Sequence, residues 1–406
     1  MEIFRIAALD VHKKVLMAVV GGAEETELVR GKFTTMTADL RELRDWLKQQ
    51  GVQEIVLEST AQYWKPVWRE LEPYFRLQLA NAQSNRAPRG RKSDFKDAER
   101  LLRRYLAQEL ILSFVPSPEQ RLWRTLTRSI LQLTHDRVRL QNQLEALLED
   151  SHIKLTSCVS DSLGLSSRRI LQAIAEGAHD PAVLARLVEP ELRATPRQLE
   201  EALVGARDLS AAHRQILKLL LERVELLDQQ RQQLEQTLAE VLRPYSDSVT
   251  RLTDIPGFGV NSAQQVIAEI GPTAASFPSP HQLASWMGAC PGRNESAGVS
   301  TSDRSPKGNR QLRRVLTQVA HAAIKNKGNV FHAHYLRLSR KGHNLALWAV
   351  VHHLCRLVWK ILHQGLTYFE RGQTLSPQQR IHRKHKLVRQ LRQLGYTVQL
   401  APAAAS

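Results

Sequence analysis

Two short apolar runs near the N-terminus each stop on a carboxylate: Ile6-Ala7-Ala8-Leu9-Asp10 and Ile55-Val56-Leu57-Glu58. Continuous apolar runs of this length read as buried strands. A chain that sets an acid at the tip of each commits that region to an α/β layer. The flanking pattern agrees. Ile3–Leu9, Val15–Val20 and Glu27–Phe33 read as three successive strands, with Gly21-Gly22 in the turn between the last two. Leu40–Lys48 has helical periodicity, Glu54–Leu57 is a short buried strand, Tyr63–Leu71 returns to helix, and Arg76–Ala80 is another strand. Three strands followed by alternating helix and strand is the order of a ribonuclease-H-like domain, assigned to residues 1–112.

After a basic loop (Arg86, Arg89, Arg91, Lys92) comes the helical stretch DFKDAERLLRRYL, which Asp94 and Asp97 open. A spacing of three puts both carboxylates on one helix face. Converging carboxylates repel unless a divalent cation neutralises them. Oxygen-only ligation suits Mg²⁺ or Mn²⁺, and such a site can flank an in-line attack at phosphorus. Asp10, Glu58, Asp94 and Asp97 are therefore the expected metal ligands of an enzyme acting on phosphodiesters. Taken singly, each has an ordinary structural explanation: Asp10 capping a turn before His12, the others pairing with Lys92, Lys96 or Arg100. Their joint placement favours the catalytic reading. His12 is read as a polar neighbour of Asp10, and Lys13 and Lys14 as nucleic-acid contacts.

The net charge of +17 is unevenly spread: residues 246–406 hold 21 Lys and Arg against six Asp and Glu. That part is the expected footprint for a polyanion, with the tail Arg380–Tyr396 adding phosphate contacts. The apolar stretch Asn344–Leu362 carries His352, His353, Arg356 and Lys360, which fits a core helix better than a membrane span. Cys158, Cys290 and Cys355 stand far apart with no zinc spacing, so a reducing cytoplasm is expected, and with no lipidation motif or cleavable signal in the sequence no membrane partner is expected.

From Ser117-Pro118-Glu119-Gln120, a helix-start signal, leucines at helical spacing run to about Asp150, and a second long helix is expected over Ala211–Leu242. The pair fits either an intramolecular helical hairpin or a dimerising coiled coil, giving a helical region over residues 113–245. A mainly helical domain over 246–375 and a basic tail over 376–406 complete the division. Gly257-Phe258-Gly259 followed by Ala263 matches a helix-hairpin-helix, whose glycines let backbone N–H groups approach a phosphate, with Asn261 as the expected cap. A polar loop between Pro291 and Gly308 then holds Ser296, Ser300, Ser302 and Ser305 beside Arg293, Arg304 and Lys307. A helix starts near Asn309 and carries Arg310, Arg313 and Arg314.

Five ordered blocks resemble the DEDD transposases of bacterial insertion sequences, the group that includes Piv-type invertases and bridge-RNA-guided recombinases. They are ALDVHKK (8–14), LESTAQYWKPVW (57–68), GRKSDFKDAERL (90–101), PGRNESAG (291–298) and PKGNRQLRR (306–314). The resemblance implies a RuvC-like nuclease domain whose tetrad is Asp10, Glu58, Asp94 and Asp97. It also implies a nucleophilic serine that forms a covalent phosphoserine link to DNA, which by motif position is Ser296, with Ser300 and Ser302 as substitutes. Many members have a second serine where Ala297 stands. DNA, an element-encoded noncoding guide RNA and a homo-oligomer are the implied partners, and the bacterial nucleoid the implied place of action. Two other expectations compete: a junction-resolvase-like endonuclease that hydrolyses without an adduct, and a catalytically inactive nucleic-acid-binding protein.

Overall fold

In a computed structural model, the residues described are 4–22, 27–59, 61–81, 95–189, 192, 194–290, 294–296, 299–302, 305–369 and 388. The chain divides into two compact units, residues 1–116 and 117–406.

The first unit is a six-stranded mixed sheet ordered β3-β2-β1-β4-β5-β6. Its elements are β1 (Arg5–Val11), β2 (Val15–Gly21), β3 (Val29–Thr34), α1 (Thr37–Gln49), β4 (Val52–Ser59), α2 (Trp64–Leu71), β5 (Arg76–Ala80), α3 (Lys96–Leu106) and β6 (Leu112–Ser113). β1, β2 and β3 are antiparallel neighbours, while β1, β4 and β5 run parallel, as expected where helices make the crossovers. Side-chain alternation sorts the strands onto two faces. Ala7, Leu9, Val11, Ile55 and Leu57 pack with Leu43 and Leu47 of α1 and Val67 and Leu71 of α2. Ile6, Ala8, Met17, Val19 and Val56 pack with Ala98, Leu101 and Leu102 of α3 on the other side. This is the α/β, ribonuclease-H-like layer expected from the sequence. The third helix starts at Lys96, so Asp97 lies in its first turn, and Asp94 falls outside the described residues.

The second unit is mainly helical. The long helices α4 (Pro118–Asp150) and, after four short ones, α9 (Ala211–Leu242) pack against each other within the chain. Ser117 and Ser210 cap them by accepting from the backbone N–H of Gln120 and His213. Leu140, Leu144 and Leu148 meet Leu217, Leu220 and Val224, and Trp123 meets Tyr245 edge-on at the other end, so the pair is antiparallel. The intramolecular hairpin is thus the arrangement present. The short helices α5 (Leu155–Cys158), α6 (Leu165–Ala175), α7 (Pro181–Leu184) and α8 (Pro196–Ala202) complete one apolar core with its far end.

Beyond α9 come α10 (Ser246–Thr253), α11 (Val260–Ile270), α12 (Pro280–Met287), the two-stranded hairpin β7 (Asn294–Ser296) and β8 (Val299–Ser302), α13 (Arg310–Lys325), α14 (Val330–Ser339) and α15 (His343–Gln364). The stretch expected as a plain polar loop therefore contains a β-hairpin. Its backbone pairs Ser296 with Val299, Glu295 with Ser300 and Asn294 with Ser302. α15 is long and apolar enough to cross a membrane by length and composition, but Ala346, Val350, Val351, Leu354 and Val358 are fully buried and it packs on α12, α13 and α14. It is a core helix, as its internal His and Arg residues suggested.

Candidate active site

The register of the central parallel pair makes Asp10 and Glu58 direct neighbours on β1 and β4. Each lies two residues beyond a side chain that faces α3 (Ala8 and Val56), so both project to the α3 side of the sheet. α3 packs over β1 and carries Asp97. Three of the four expected ligands thus converge on one face, and the fourth, Asp94, lies outside the described residues. Asp10 is only 13% exposed, and burial pushes its carboxyl above the ordinary aspartate value. Asp97 adds to the rise, while His12 and Arg100 oppose it. Internal partners hold the carboxylates: His12 Nε2 lies 3.2 Å from Asp10 Oδ2, and Arg100 Nη2 lies 2.8 Å from Asp97 Oδ1.

An all-carboxylate set whose innermost member is strained towards the protonated form by burial and a second carboxylate fits a hard divalent cation, which would favour the ionised form. Among the described residues no three Asp, Glu, His or Cys stand close enough to enclose an ion. A cation would have to draw Asp97 from Arg100 and recruit Asp94. Lys13 and Lys14 are exposed in the β1–β2 turn just past Asp10. Arg91 and Lys92 lie outside the described residues.

The hairpin carrying Ser296 is pinned at its base. Gly288, at φ +74°, ends α12, and a Cβ there would come within 2.5 Å of the Pro306 carbonyl oxygen. A Cβ on Gly308 would sit 2.1 Å from the Met287 carbonyl, so the two stems touch backbone to backbone. Arg313 Nη1 donates to the carbonyls of Gly288 (2.8 Å) and Pro306 (3.1 Å), and its guanidinium stacks over Trp348. Asn309 caps α13 by accepting from the Leu312 N–H, and its Nδ2 donates to Glu269 Oε2 at 2.8 Å. Glu269 is 2% exposed and also meets Arg124 (3.3 Å) and Arg128 (3.1 Å) of α4. Burial brings Arg124 down to about 10 despite that carboxylate.

These contacts redistribute the expected nucleic-acid residues. Arg313 is committed to the hairpin stem, and Arg314 donates to Gln265 of α11 and Gln318. Lys307 and Arg310 are exposed beside the stem, and Arg293 lies outside the described residues. The two glycines of the α10–α11 turn also differ. Gly257, at φ +90°, faces the α13 backbone, where a Cβ would lie 2.5 Å from the Val319 oxygen. Gly259 is the N-cap of α11 with nothing within 4 Å of its Cβ position, and exposed Asn261 falls in the first turn without capping it. The Glu269 network escaped the sequence reading, although a lone acid in the apolar helix VNSAQQVIAEI was a usable signal.

No curated protein matches the chain. A transposase family model of the IS110 DEDD type matches residues 7–153, spanning the carboxylate face, and that of the transposase IS116/IS110/IS902 family matches residues 249–336, from α10 through the serine hairpin to α14. With both halves matched in order, the chain belongs to the IS110 family of DEDD transposases and is a DNA transposase/recombinase.

Proposed function

We propose that this transposase cuts and rejoins DNA through two chemistries, a divalent-metal site and a covalent serine. Asp10, Glu58, Asp94 and Asp97 hold Mg²⁺ or Mn²⁺, which supplies Lewis-acid stabilisation of charge at the scissile phosphate. Ser296 is the nucleophile. Its hydroxyl forms a bond to phosphorus, its proton leaves, and the displaced sugar oxygen departs as a hydroxyl. Attack by a second sugar hydroxyl reverses these steps and releases Ser296, so strands rejoin without a nucleotide cofactor. Lys13, Lys14, Lys307, Arg310 and the open N-terminus of α11 at Gly259 grip backbone phosphates, with Arg91, Lys92 and Arg293 as further contacts. Sequence choice is delegated to an element-encoded noncoding RNA, and the protein works as a homo-oligomer on the nucleoid. The observation that carries this reading is the register pairing of Asp10 with Glu58 beneath the helix that carries Asp97.

The test is covalent trapping. Protein, Mg²⁺, element-end DNA and its flanking noncoding RNA are mixed and resolved on a denaturing gel, with Ser296→Ala and Asp97→Ala alongside. A DNA-linked band lost in Ser296→Ala supports the serine, and loss of cutting in Asp97→Ala with DNA binding kept supports the metal site. Cutting without a linked band would favour a metal-only endonuclease.

A further inference from the structure

From Ser305 to Phe369 the chain has no Asp or Glu, yet this stretch carries seven of its 15 His along with five Lys and six Arg. Positive groups concentrated without internal counter-charge mark a surface built to meet anions. Within that stretch, one stripe of α15 and the facing side of α14 enclose a cleft of about 390 Å³. His334 contributes from α14, and His352, His353, Arg356 and Lys360 from α15. The His334 and His353 rings meet edge-on at 5.7 Å. Arg356 Nε is buried with no hydrogen-bond partner. An unsatisfied buried donor costs about 1–3 kcal/mol, and the guanidinium that carries it belongs to a cleft whose described lining holds His, Arg and Lys and no carboxylate.

We infer that this cleft binds a backbone phosphate of the nucleic acid, with Arg356 and Lys360 as the fixed charges and His334 and His353 as protonatable donors. An anionic oxygen supplies the acceptor that Arg356 lacks. The site also reaches the stem that leads to the serine hairpin: His352 Nδ1 donates to the carbonyl of Ala289 at 2.7 Å, next to Gly288. Burial holds both His334 and His353 below the ordinary imidazole value, and neighbouring cations add to this. The groups facing them are Arg337 from α14 and His352, Arg356 and Lys360 from α15. Of the other helices packed on α15, α13 has no acid, α12 brings only His281, and the one acid of α10, Asp247, is paired with Arg251 at 2.9 Å. Among the described residues no carboxylate is recorded facing these imidazoles, and a bound phosphate raises their proton affinity. Binding then takes up protons and tightens as pH falls.

The inference shares with the proposed function only the nucleic-acid partner, so a binding assay tests it apart from strand cutting. The full-length protein is titrated against a labelled element-end DNA duplex and a labelled single-stranded RNA over a range of salt. Arg356→Gln with Lys360→Gln is expected to lower the slope of log K against log salt by about 1, the loss of one neutralised phosphate. His334→Gln with His353→Gln is expected to flatten the rise in affinity as pH falls through and below the ordinary imidazole value of about 6.5, because both rings are held below it when no phosphate is bound. Loss on one probe identifies whether the phosphate is that of DNA or RNA, and loss on both a shared site. Unchanged slopes on both probes overturn the inference. Lys360→Gln, at an exposed position, decides the question if the double variant fails to fold. A protein that forms no serine adduct yet shows the slope change keeps the cleft and loses the serine reading.

Discussion

Replacing Glu269 with Ala tests whether the buried network beneath the serine hairpin is a structural keystone. The carboxylate is 2% exposed and faces Arg124, itself only 12% exposed, at 3.3 Å. Breaking such a pair strands a charge in the interior at about 3–5 kcal/mol. Arg128 is 44% exposed, so its share at 3.1 Å is under about 1 kcal/mol. The hydrogen bond from Asn309 Nδ2 is worth about 1 kcal/mol. These overlap, so the expected loss is about 4 kcal/mol. At roughly 2–4 °C per kcal/mol for a large domain, the calorimetric transition of residues 117–406 should fall by about 10 °C. A paired replacement, Glu269→Leu with Arg124→Leu, removes both charges and should recover at least half of that loss. A drop of under about 3 °C for Glu269→Ala, or no recovery in the pair, would refute the reasoning.

The other expectations concern the carboxylate face and the hairpin stem. Asp10 is raised by burial, so its contribution to stability is fully present below the unfolded aspartate value and is lost as pH rises through the higher folded value. At neutral pH in EDTA, Asp10→Asn should therefore melt above the wild type and gain nothing from added Mg²⁺; a lower melting temperature would contradict the burial argument. Mg²⁺ binding should also weaken on acidification at a higher pH than an ordinary aspartate would give, because the metal-free carboxyl is raised and the ligand form is the carboxylate, and metal titrations at a series of pH values read this directly. Gly308→Ala drives a Cβ into the Met287 backbone and should abolish the serine adduct while lowering the melting temperature, whereas Gly259→Ala meets nothing within 4 Å and should cost only the N-cap penalty of about 1 kcal/mol in urea melts.

The α/β half was legible because strand tips and alternation are local signals: Asp10 and Glu58 stand as direct partners, as two apolar runs ending in acids implied. Helix starts at Ser117 and Asn309 were equally readable from cap chemistry. What the sequence hid is where side chains spend their charge. Arg313 and Arg314 look like phosphate contacts beside Lys307 and Arg310, yet one clamps two carbonyls and the other meets Gln265, contacts fixed only when α11, α12 and α13 pack. Asn261 failed as a cap because α11 begins two residues earlier, at a Gly259 cap that needs no side chain. The β-hairpin was invisible for a similar reason: VSTS and NES carry too few apolar residues to signal strands.

The antiparallel pair of α4 and α9 has an evolutionary consequence. Each helix is about 50 Å long at 1.5 Å per residue. Gln120 and Arg124 root the near end on the α11 carbonyls, while the far end closes its own apolar core with α5 to α8. The two family matches stop at residue 153, just past α4, and resume at 249, leaving α5 to α9 between them. Length changes there leave the rooted end and the hairpin stem untouched, so this arm is where related elements can diverge, or an engineer can splice in a cargo domain, without disturbing the machinery that handles DNA.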